Sequence, residues 1–124
     1  MQVYPEEHEL LALFECEPTF LDTPSDVMVF FYNKATYKFS NGFEDFIVTL
    51  QPSCSEVKIQ VTNHNTKKLI TYLDLKSVYR FEIINDKKDL SSILMTIEDD
   101  TRLQTFEIDF KPNFKLIIKE QYNF

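Results

Sequence analysis

Residues 57–75 read VKIQVTNHNTKKLITYLDL. Val57, Ile59 and Val61 alternate with Lys58, Gln60 and Thr62. That period of two puts the apolar side chains on one face of a half-buried strand. Asn63, His64, Asn65 and Thr66 interrupt the pattern with turn-forming side chains, and residues 68–74 resume it as a second strand. A four-residue turn leaves no room for a crossover helix, so the two strands pair antiparallel.

The same unit recurs in both directions along the chain. Upstream, Ser40-Asn41-Gly42 is a hairpin turn, because Asn-Gly tolerates the positive φ that tight turns need. It joins a strand over 35–39 to one in which Phe46, Val48 and Leu50 alternate with Ile47, Thr49 and Gln51. Pro52-Ser53-Cys54-Ser55 stops that strand, and residues 27–32 form a further β-prone run before Asn33-Lys34. Downstream, residues 77–84 set Tyr79, Phe81 and Ile83 on one face against Arg80 and Glu82. Three more alternations follow, at Ile93, Met95 and Ile97, at Phe106, Ile108 and Phe110, and at Phe114, Leu116 and Ile118. Polar turns at 85–89, 98–101 and 111–113 separate them.

These spacings predict a mainly β, α+β fold: an antiparallel meandering sheet or curled sandwich of seven to nine short strands over 27–120. Ahead of it, Pro5, Glu6 and Glu7 begin a helix, since proline fits the first turn and early acids suit the helix dipole. Leu10, Leu11, Leu13 and Phe14 give that helix an apolar face, and it is expected over 5–15. Residues 16–26, with Pro18 and Pro24, read as an irregular connector. Residues 1–124 are expected to form one domain, in keeping with their length, and no repeat or linker divides them.

Composition narrows the function. The hydrophobic fraction of 44% excludes general disorder. No apolar run is long enough to span a membrane, and the acidic start is unlike a secretory signal. Gly42 is the only glycine, which excludes glycine-rich phosphate loops. The two cysteines, Cys16 and Cys54, form no C-x-x-C pattern. They suit a reducing, cytoplasmic chain, although their pairing stays open. The net charge of −7 makes nucleic acid a poor partner. That charge is uneven: residues 1–26 hold seven acidic groups and no Lys or Arg, while the rest balances 13 acids with 13 bases.

Catalytic and metal-binding patterns do not emerge. His8 lies in Glu6-Glu7-His8-Glu9, and Ala12 stands where a second zinc-binding histidine would be needed. Cys54 and His64 fall at opposite ends of one strand, too far apart for a nucleophile–base pair. Glu98-Asp99-Asp100 is contiguous within a turn and lacks the spacing of a calcium loop. Lys67-Lys68 and Lys87-Lys88, with Tyr32, Tyr37, Tyr72 and Tyr79, could make a small base-stacking surface, but acids accompany each lysine pair. The chain is therefore expected to be no enzyme and to need no cofactor or metal.

The acidic segment is the sharpest feature. Glu6, Glu7, Glu9, Glu15, Glu17, Asp22 and Asp26 surround Phe14 and Phe20, so acids frame apolar anchors. Such a surface suits a basic protein partner, because charge speeds encounter and aromatics slow release. The profile (small, acidic, β-rich, without catalytic groups) resembles the immunity proteins that neutralise bacterial toxins, and small phage-type inhibitors. That resemblance implies tight binding to one partner, often a nuclease, whose active site is covered by acids standing in for phosphate. The alternative is a small structural or scaffold domain that self-associates through sheet edges or exposed aromatics, for example as a homodimer.

Overall fold

The computed structural model describes residues 1–20 and 33–122. The expected strand at 27–32 lies outside the described residues, as do Asp22 and Asp26. Helix α1 spans Glu7–Phe14. Among the described residues nine strands follow: β1 (Thr19–Phe20), β2 (Ala35–Ser40), β3 (Glu44–Gln51), β4 (Glu56–Asn63), β5 (Leu69–Leu75), β6 (Arg80–Lys87), β7 (Leu90–Glu98), β8 (Arg102–Lys111) and β9 (Lys115–Tyr122). They form a five-stranded sheet in the order β1-β2-β3-β4-β5 and a four-stranded sheet in the order β6-β7-β8-β9. Every neighbouring pair is antiparallel.

The expected mainly β fold is present, with the meander split between two sheets. Two strand boundaries and the facing of two side chains differ from the sequence reading. Within the connector expected at 16–26, Thr19 and Phe20 pair with Thr36 and Ala35. The expected strand at 77–84 begins only at Arg80, because residues 76–79 carry the chain from one sheet to the other. There Ser77 adopts a left-handed φ of 62°, and the Val78 N–H donates to the Ser55 carbonyl at 2.9 Å. Tyr79, expected to face inward, is 37% exposed at this crossing. Ile118, expected inward on β9, is 53% exposed at the sheet edge.

The alternating apolar residues face a single core. Phe46, Val48 and Leu50 of β3 lie opposite Val61, Ile59 and Val57 of β4. In the other sheet, Phe81 pairs with Met95, and Met95 with Phe106. Aromatic rings close the space between the sheets. Phe110 of β8 lies 5.2 Å from Phe46 and 5.3 Å from Phe39, both edge-on. Edge-to-face packing of this kind suits the ring quadrupoles and adds to the burial of area.

Helix α1 packs beside β6, running from the Met1 end of the molecule to the Lys111 end. Leu10, Leu13 and Phe14, spaced i, i+3, i+4, are its buried face. The Glu9 carboxylate accepts the Glu6 N–H at 3.0 Å and caps the first turn. The helix ends at Glu15 in a left-handed conformation, whose N–H reaches the Leu11 carbonyl at 2.9 Å.

One polar clamp ties the sheets at the hairpin end. Asn41 Oδ1 accepts the N–H groups of Phe43 and Glu44, shaping the turn around Gly42 at φ 96°. Its Nδ2 donates to the Phe110 carbonyl at 2.8 Å, and the Glu44 carboxylate accepts the Phe114 N–H at 2.7 Å. Replacing Asn41 by alanine removes the turn's acceptor and strips a part-buried carbonyl of its donor. We expect Asn41→Ala to lower the unfolding free energy by about 2–3 kcal/mol, measured by urea denaturation. A loss below about 0.5 kcal/mol would show the clamp to be dispensable.

Candidate partner-binding surface

The acids of the first segment have distinct local fates. Glu6, Glu7, Glu9, Glu15 and Glu17 are all exposed. Glu9 is engaged in capping, and Glu15 Oε2 lies 2.8 Å from the Lys111 ammonium. That hydrogen bond holds the Glu15 carboxyl below its ordinary pKa and pins the helix end to β8. Glu6 lies 3.5 Å from His8 on the open helix face. Glu7 and Glu17 make no hydrogen bond or ion pair among the described residues and remain available to a visitor.

The two aromatic anchors expected in this segment do not face solvent. Phe14 is only 3% exposed, with its ring stacked 4.7 Å from Phe39 and edge-on to Phe110 at 5.6 Å. The helix needs an apolar stripe to dock on the sheets, and Phe14 belongs to that stripe. Phe20 is half-buried against the same core, because pairing with Ala35 turns it to the inner face. Among the described residues, the exposed part of the segment is therefore acidic without exposed aromatic anchors.

Sequence reasoning missed two features of the surface. The N-terminal residues run beside β6: Val3 bridges Arg80 in parallel, and the Phe81 N–H donates to the Val3 carbonyl at 2.9 Å. Glu82 thereby joins Glu9 along one groove. No local pattern could have signalled that contact. Elsewhere, Leu69 (60% exposed), Tyr72 (53%) and Ile70 are exposed on the edge strand β5, and Phe43 (62%) is exposed in the β2–β3 turn. A register shift in the β4–β5 ladder between Val61 and Thr62 leaves Leu69 and Ile70 both exposed. A strict alternation could not have shown this.

The remaining candidates resolve into structural roles. Cys16 and Cys54 are free thiols, and burial pushes the Cys16 thiol up. Burial also pushes the Tyr37 phenol up, with the Glu7 charge adding to it. Among the described residues, no cluster of three His, Cys, Asp or Glu could hold a metal. Asp99 caps its own turn, accepting the N–H groups of Thr101 and Arg102 at 2.9 and 2.8 Å. Those bonds lower its pKa.

His64 turns toward Asp45, away from Cys54. Its Nδ1 lies 2.7 Å from Asp45 Oδ1, while Lys67 Nζ reaches Asp45 Oδ2 at 3.2 Å. These contacts, His64 foremost and Ser40 next, hold the Asp45 carboxyl down from 3.8 to about 2. A depressed carboxyl stabilises the fold above its unfolded value. The contribution is lost as the pH falls from 3.8 toward 2. The group is partly exposed, so it contributes about 1 kcal/mol or less. Thermal midpoints at pH 5 and pH 2.5 are expected to fall further for the wild type than for Asp45→Asn. Equal falls would contradict the tie.

Comparison with known proteins places this geometry. No protein-family model matches the chain, and no curated protein sequence matches it. Among solved structures, it is similar to a chain of a contact-dependent growth inhibition toxin–immunity protein complex from Klebsiella pneumoniae 342. The TM-score is 0.74 at 21% sequence identity, and the match covers 97% of each chain. At that identity the likeness establishes a shared fold over nearly the whole length.

Proposed function

We propose that the chain is the immunity member of a toxin–immunity pair: a non-catalytic inhibitor that binds one basic protein in the cytoplasm. The observation that carries this reading is the full-length fold likeness to a chain from a toxin–immunity complex. Charge supports the immunity role over the toxin role. A toxin acting on nucleic acid would need cations against phosphate, whereas this chain carries −7 and concentrates it in residues 1–26. Glu6, Glu7 and Glu17 lie open to a partner, with Asp22 and Asp26 completing the segment by sequence. The test reverses the charge at Glu6, Glu7 and Glu17 and measures partner association against salt.

A second reading, a self-associating structural domain, is favoured by the exposed Leu69, Ile70 and Tyr72 on the edge strand. It predicts concentration-dependent sedimentation that the same charge reversals leave unchanged.

A further inference from the structure

A sheet edge offers free backbone groups to another strand unless it is short, covered or charged. Among the described residues, β1, β5, β6 and β9 are the outer strands of the two sheets. β1 is only two residues long. β6 is flanked by the Val3 bridge to Arg80 and by α1. β9 exposes Lys115 and Lys119. β5 has none of these protections. Its seven residues carry one charge, Asp74, and expose Leu69, Ile70 and Tyr72. The register shift against β4 leaves Leu69 and Ile70 both outward and so adds apolar surface at this edge. Lys68 stands just ahead of the strand, and both Lys68 and Asp74 are exposed. Neither side chain forms an ion pair among the described residues, whereas Lys115 of β9 is held by Asp109 at 3.3 Å.

We propose that β5 pairs antiparallel with β5 of a second copy, across a two-fold axis at Thr71, joining two five-stranded sheets into one. The strand is self-complementary in that register. Ile70 stands opposite Tyr72 of the second copy, Thr71 opposite Thr71, and Lys68 opposite Asp74. A branched aliphatic beside an aromatic, threonine beside threonine, and opposite charges are the cross-strand pairs that stabilise a ladder. A two-fold normal to the sheet sets only side chains of one parity against each other, so few alternatives exist. An axis at Tyr72 opposes Lys68 to Lys76 and Ile70 to Asp74. An axis at Leu73 opposes Ile70 to Lys76, and one at Ile70 opposes Asp74 to Thr66. β9 has no comparable register, because Lys115 and Lys119 differ in parity from Glu120. The assignment rests on the self-associating reading and names its interface, and it is independent of the toxin partner.

Sedimentation velocity of the full chain over a concentration series reads the dimer directly. The wild type is expected to dimerise as concentration rises. Lys68→Asp sets acid against acid, and Asp74→Lys sets base against base. Each variant alone is therefore expected to bind its own copy about 10-fold more weakly. Mixed in equal amounts, the two variants meet with opposite charges at both ends of the ladder. A one-to-one heterodimer of wild-type affinity is expected, a rescue that misfolded variants would not give. Three results overturn the proposal: a wild type that stays monomeric up to about 1 mM, a dimer that both reversals leave unchanged, or a mixture that remains monomeric. The first removes the self-associating reading as well. The second leaves self-association standing on another surface.

Discussion

Phe110→Ala is expected to destabilise the fold by about 3–5 kcal/mol. Phe110 is 1% exposed and meets Phe14, Phe39 and Phe46, with centroids 5.6, 5.3 and 5.2 Å away. It is the ring at which α1 and both sheets converge. Truncation removes the transfer free energy of a phenyl group and leaves a cavity. The cross-strand ladders on either side limit how far the walls can collapse into it. That is a large share of the about 5–15 kcal/mol by which native domains are stable. Guanidinium unfolding of wild type and variant measures the difference, and near-UV circular dichroism reports whether aromatic packing persists at zero denaturant. A loss under about 1 kcal/mol would mean that the sheets do not depend on this contact for cohesion.

The second large effect concerns association. Changing Glu6, Glu7 and Glu17 to lysine is expected to slow binding of the basic partner by about 10- to 1,000-fold at low salt, the range over which electrostatic steering acts. Each reversal replaces an attraction by a repulsion. The effect should shrink as salt rises, because surface charges are screened over about 8 Å at physiological ionic strength. Glu9 and Glu15 are left in place, since one caps the helix and the other is paired with Lys111, and because Glu6 is the N-cap residue of the same capping box, the Glu7, Glu17 double reversal is measured alongside the triple one. Altering them would mix stability with recognition. Stopped-flow association at two salt concentrations separates the outcomes, and an unchanged rate at both would remove the acidic segment from the interface.

The hairpins were legible because their causes are local. Val57, Ile59 and Val61 fall on the inner face, and Asn41 and Gly42 make the turn that their side-chain chemistry favours. The division into two sheets was not legible. It depends on Ser77 entering a left-handed conformation and on Val78 bonding back to Ser55, a contact across 23 positions that no period reveals. The acids of the candidate surface were found because charge is written in composition. The facing of Phe14 and Phe20 was not, since an aromatic beside acids can turn either way until the helix and β1 have a sheet to pack on. Glu82 escaped notice for a similar reason. On β6 it reads as an ordinary solvent-facing residue, and only the parallel run of Val3 beside that strand sets it along the same groove as Glu9.

The most direct test of the immunity reading is capture from the source cells. The wild-type chain and the Glu6, Glu7, Glu17 reversal serve as parallel baits, washed at low and then moderate salt, with retained proteins identified and quantified by mass spectrometry. The account predicts one basic protein held by the wild type in near-equal amount and released from the reversed bait at the moderate-salt wash. Retention by the wild type of nothing but its own copies would contradict it and leave the self-associating domain in its place.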